Sequence, residues 1–96
     1  MSDDVSKPVV ISNRQGLHAR PAHAFVSLAK EYQAKITLAK AGETVDGKSI
    51  LEILTLAAVQ GTELVVRGVG DDAEAAVSAL VDLLGGLKDE PAEPAS

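Results

Sequence analysis

Hydrophobic and polar positions along the 96 residues change period several times, and each change marks an element. Pro8-Val9-Val10-Ile11 is a short β-branched run, the composition of a first strand. Met1 to Ser6, before it, is acidic and polar and reads as a mobile lead-in. From about Arg20 to Tyr32, apolar residues Ala22, Phe25, Val26, Ala29 and Tyr32 recur at spacings of three and four, one buried stripe of a helix. Lys35-Ile36-Thr37-Leu38-Ala39-Lys40 alternates instead, which predicts a strand with Ile36 and Leu38 facing the core. Ala41-Gly42 turns the chain back into Glu43-Thr44-Val45, a brief companion strand ended by Asp46-Gly47, a dipeptide that favours positive φ.

Ser49 to Leu56 is apolar on nearly all sides of a short helix, with Ser49 placed to cap it. In so small a chain that pattern predicts an apolar face turned to a partner: Ile53 and Leu56 point inward, Leu51 and Leu54 outward. Gln60-Gly61-Thr62 leads into a fourth strand, Glu63 to Arg67. Asp71 with Glu74 three residues on makes a capping-box-like start for a last helix. That helix carries Ala73, Ala76, Val77, Leu80 and Leu84 on one face and stops at Gly85-Gly86. The domain is thus expected over 7–87, and 88–96, rich in Pro, Ala and acidic residues, is expected to be a disordered tail. The order of elements defines an α+β domain with helices on one face of a four-stranded sheet. Periodicity does not supply the strand order.

Composition narrows the chemistry. One Phe, one Tyr and no Trp leave an aliphatic core. The absence of cysteine excludes a disulfide framework, a thiol nucleophile and a Cys-based zinc site. With only two histidines, no metal site and no cofactor are expected. The formal net charge of −5 argues against nucleic acid, whose backbone demands clustered Lys and Arg. The acidic first residues do not resemble a signal peptide, and no apolar run approaches the roughly 20 residues that span a bilayer. A soluble cytoplasmic monomer with no membrane partner is the expectation.

The chemistry concentrates in Gly16-Leu17-His18-Ala19-Arg20-Pro21. Gly16 permits a positive-φ turn, and Pro21, with φ preset and no N–H, suits the first turn of a helix. A helix start has unpartnered N–H groups and the positive end of the peptide dipole, so an anion beside His18 would be stabilised. Imidazole changes charge near neutral pH and acts as a nucleophile, and the Arg20 guanidinium matches phosphate. A phosphoramidate on imidazole is labile enough to be handed on, whereas a serine ester is not. His23, one turn into the helix, reads as a partly exposed helix residue. No Walker-type loop, metal cluster or pair of catalytic carboxylates is present, so turnover as an enzyme is not expected.

This stretch resembles the phosphorylation motif of the HPr family, the histidine phosphocarriers of the sugar phosphotransferase system. A second match, Gly47-Lys48-Ser49-Ile50, resembles the family's regulatory serine segment at the family's spacing. The resemblance, over roughly residues 7 to 87, implies an open-faced antiparallel β-sandwich of strand order 1-4-2-3 with three helices on one face. It implies phosphorylation of His18 at Nδ1 by phosphorylated enzyme I, phosphate held by Ala19 and Arg20, and transfer to IIA units of sugar permeases. Ser49 would be the target of an HPr kinase/phosphorylase, linked to a catabolite-control transcription regulator. Leu17, Ala19, Lys30, Lys48, Ile50, Leu51 and Leu54 would form the partner surface. Ser27 stands where some relatives carry a further lysine. Two alternatives remain open at this level: a regulatory phosphoprotein of a nitrogen-type or catabolite-repression branch that feeds no permease, and a binding module with an inert His18.

Overall fold

The computed structural model describes residues 3–87, so the expected tail lies outside the described residues. Its strands are β1 (Asp4–Val10), β2 (Lys35–Lys40), β3 (Glu43–Asp46) and β4 (Glu63–Val69), and its helices α1 (Ala19–Ala29), α2 (Ile50–Thr55) and α3 (Ala73–Gly85). The sheet is antiparallel in the order β1-β4-β2-β3, with the helices on one face. The expected fold class and strand order are therefore the observed ones.

Alternation along the strands separates the two sheet faces. Val9, Ile36, Leu38, Leu64 and Val66 point under the helices, where they meet Phe25, Ala29, Ala76, Val77, Leu80 and Leu84. Each of those large side chains contributes about 1.5–3 kcal/mol by leaving water. The α1 stripe is as expected except that Tyr32 lies beyond the helix end and is half-buried against the core. On the opposite, uncovered face, Lys35, Thr37, Arg67 and Val69 line a depression of about 320 Å³.

Three details differ from the periodicity. β1 begins at Asp4, so Asp4, Val5 and Ser6 belong to the sheet rather than to a lead-in. Lys7 hides this alternation: it faces the helix side, and its ammonium donates to Ser78 Oγ at 2.9 Å and pairs with Glu74 at 3.4 Å on α3. At the strand's beginning Arg67 Nε donates to Asp4 Oδ1 at 2.8 Å, with a second bond from Nη2 to Oδ2, extending β4 to Val69. Gly47 does not adopt positive φ; a Cβ there would collide with Ile36.

The start of α3 differs too. Asp72, not Asp71, is the N-cap, and its carboxylate accepts no bond from its own helix. It accepts instead from the Gln33 and Ala34 N–H groups, both at 2.8 Å, tying α3 to the turn that enters β2. The Gln33 N–H bond is the main cause that holds the Asp72 carboxyl below its ordinary range, assisted by Ala34. Local spacing could not show this, because the donors lie far away in sequence.

Candidate functional site: a histidine at the start of α1

Ile11, just past β1, lies inside the core, and the chain then makes a tight loop to α1. Gly16 sits in that loop at φ +68, where a side chain would be strained and a Cβ would run into the Ala58 carbonyl oxygen. Leu17 N–H donates to that carbonyl at 2.8 Å, so the loop leans on the segment after α2. Asn13 Nδ2 donates to the Gly16 carbonyl at 3.0 Å.

His18 follows as the N-cap of α1, extended at φ −85 and ψ −171, and its side chain makes no capping hydrogen bond. The first intrahelical bond runs from Ala22 N–H to the His18 carbonyl at 3.0 Å, and Pro21 in the first turn has no N–H to satisfy. No acidic residue lies in that first turn. The positive end of α1 is therefore not neutralised by its own side chains, and a dianion there would gain from both dipole and N–H groups. His18 is half-exposed, while Ala19 and Arg20 are exposed beside it. His23 is exposed further along α1.

Ser49 caps α2: its Oγ accepts from Glu52 N–H at 3.3 Å, and Glu52 in turn accepts from Asp46 N–H at 3.1 Å. The other end of α2 is held by Lys40, whose ammonium donates to the Leu56 carbonyl at 2.7 Å. That role was legible in strand parity, since Lys40 shares the inward phase of Ile36 and Leu38. Leu51 is 75% exposed and Leu54 36%, on the outer side as expected, while Ile53 and Leu56 are buried.

The expected partner surface needs correction in part. Leu17 is 5% exposed and belongs to the core, because its N–H bond to Ala58 turns its side chain inward. Ile50 is half-buried against the core. Lys48 is half-buried and its ammonium donates to the Tyr32 carbonyl at 2.8 Å, so it braces the turn after α1 rather than standing free. Lys30 is exposed at the end of α1. Val59, 65% exposed and next to Gly16, is an outward apolar residue that the sequence reading missed. No group of three or more His, Cys, Asp or Glu side chains suited to a metal occurs among the described residues.

An open-faced α+β sandwich that offers a half-exposed histidine at a helix start is the architecture of a small phosphoryl-carrier domain. The family model described as "PTS HPr component phosphorylation site" matches residues 5–85. The chain is 40% identical over 85 residues to phosphocarrier protein HPr of Borreliella burgdorferi, covering 88% of this chain and 99% of that protein. Its fold is similar to the crystal structure of phosphocarrier protein HPr from Bacillus anthracis, with TM-score 0.81, 41% identity, and 84% and 96% of the two chains covered. It is also similar to the solution structure of Crh, the catabolite repression HPr of Bacillus subtilis, at TM-score 0.67 and 32% identity, covering 86% and 99%. The chain belongs to the HPr family, the phosphocarriers of the phosphotransferase system.

Proposed function

We propose that His18 accepts a phosphoryl group from phosphorylated enzyme I and passes it to IIA proteins of sugar permeases. The observation that carries this is the placement of His18: half-exposed at the start of α1, with no acidic residue in the first turn. Unprotonated Nδ1 attacks phosphorus as the phosphorus–nitrogen bond to the donor's histidine breaks, and the donor imidazole takes up a proton. The N–H groups around Ala19 and the Arg20 guanidinium stabilise the phosphoryl oxygens. Transfer of this kind depends mostly on position and charge, so an exposed rim is sufficient. The carrier is a substrate of its two partners and not an enzyme, and its encounters belong in the cytoplasm. Ala19, Lys30, Leu51 and Leu54 remain on the proposed docking face.

A second reading rests on Ser49 and on the similarity to Crh. A phosphate placed on the cap hydroxyl by an HPr kinase/phosphorylase would add charge beside the docking face without burying it, slowing acceptance at His18. In that reading the chain reports to a transcription regulator and feeds no permease. Incubation with phosphoenolpyruvate and enzyme I tests the first proposal. Acid-labile, base-stable label on the native chain, absent from His18→Ala, is the expected result, and retention of label by His18→Ala would overturn it. Onward transfer to a IIA protein supports the carrier, whereas labelling without transfer supports the regulatory reading.

A further inference from the structure

Asn13 is 3% exposed and is the one polar or charged residue buried so deeply among the described residues. Its neighbours in the loop, Ile11 and Leu17, are core residues. Its Oδ1 is buried and has no hydrogen-bond partner among the described residues. An amide half-used in this way is a poor choice for stability, since a buried acceptor without a partner carries the cost of its lost hydration. The other half has a definite task. Nδ2 donates to the Gly16 carbonyl at 3.0 Å, and Gly16 N–H donates to the Asn13 carbonyl at 3.2 Å, so residues 13–16 close on themselves. The Ala58 carbonyl then holds Leu17 N–H on the far side. Gly16 and Leu17 are thus gripped from two directions immediately before His18.

We propose that Asn13 is a positioning residue for His18: its buried amide fixes the Gly16 carbonyl and with it the path of the backbone into the histidine. The inference rests on the reading of His18 as the phosphoryl acceptor. Asn13 acts through Gly16 and Leu17, and what it supplies is orientation of the imidazole toward an incoming phosphorus. Misplacement of a reacting group by about 1 Å lowers a rate by as much as about 100-fold, so a modest slackening of the loop is measurable. The asparagine is retained for transfer, against the preference of the core around it.

The test is Asn13→Leu, which keeps the branching and loses the amide, with the smaller Asn13→Ala as a second variant. Thermal unfolding, the rate of labelling from phosphoenolpyruvate and enzyme I, and the ring-proton resonances of His18 across pH are measured together. The variants are expected to unfold within about 5 °C of the native chain. They should take label at least about tenfold more slowly and show displaced or broadened His18 resonances. Gln60→Ala removes another loop tether, the 2.9 Å bond from Gln60 Nε2 to the Ser12 carbonyl, and should label at the native rate. Folded Asn13 variants that label at the native rate would overturn the proposal. So would variants that fail to fold, because the amide is held to be dispensable for folding, and so would an equal loss in Gln60→Ala. If the native chain takes no label, or His18→Ala keeps it, the phosphoryl-acceptor reading falls and this inference with it.

Discussion

The starts of α1 and α3 face the same physical problem and solve it in opposite ways. Each presents first-turn N–H groups and a positive dipole end. At α3 the fold supplies its own negative charge: Asp72 is the N-cap and Glu74 lies in the first turn. The Asp72 carboxylate is itself committed, accepting from Gln33 and Ala34. At α1 there is no acid in the first turn, and the N-cap residue is His18 in place of a carboxylate; neither cap side chain bonds its own helix. In a chain of formal net charge −5 acids were available, yet none stands in the first turn of α1, so that helix does not compensate its own dipole there. One helix start carries its own acids, and the other, in the proposed function, is where the phosphoryl group is received.

The largest expected effect comes from forcing the loop that leads into α1. Gly16→Ala places a Cβ against the Ala58 carbonyl at positive φ, so a loss of about 2–3 kcal/mol in denaturant unfolding is expected, with slow labelling of His18. Native-like stability in that variant would mean that the loop is not gripped as described. Next, Ala19→Asp makes α1 resemble α3. The added carboxylate should stabilise the helix by about 0.5 kcal/mol while slowing phosphoryl acceptance about tenfold, because it occupies the field the phosphate would use. Acceptance at the native rate would show that the open helix end contributes nothing to transfer.

Ser49→Ala should cost about 1 kcal/mol in thermal or denaturant unfolding, the value of a lost N-cap. A smaller loss would assign the start of α2 to Glu52 and Asp46 instead. The smallest effect concerns Asp72. Its folded-state pKa is depressed, so its stabilising contribution is present above the unfolded carboxyl pKa and disappears as pH falls through the folded one. Asp72→Asn should therefore flatten the acid side of a stability-against-pH curve relative to the native chain. Parallel curves would mean that the latch to Gln33 and Ala34 carries no linkage.

How far the sequence reached follows the range of the interactions involved. The stripe Ala22, Phe25, Val26 and Ala29 and the alternation Ile36, Leu38 were legible because burial on one face leaves a period in the chain. His18 at a helix start was legible because Gly16 and Pro21 punctuate the backbone locally. Contacts between distant segments were not. Lys7 breaks the apolar alternation of β1 by reaching across to α3, which concealed the strand's early residues. Leu17 looked like a surface residue beside the histidine, yet it lies in the core, with its N–H bonded to the Ala58 carbonyl. Ser12-Asn13-Arg14-Gln15-Gly16 is a turn-rich stretch with no mark of burial in its composition, and only the packed loop reveals that Asn13 is buried.

Six residues are too few to sustain a helix unaided in water, and only Ile53 of α2 is buried. The segment persists because it is stapled at both ends, by Ser49 at the beginning and by Lys40 at the Leu56 carbonyl. The outward side chain of Leu51 consequently bears almost no folding load, and that of Leu54 bears less than a core leucine. They form an exchangeable facade that drift or engineering can repaint while the scaffold behind it stays upright.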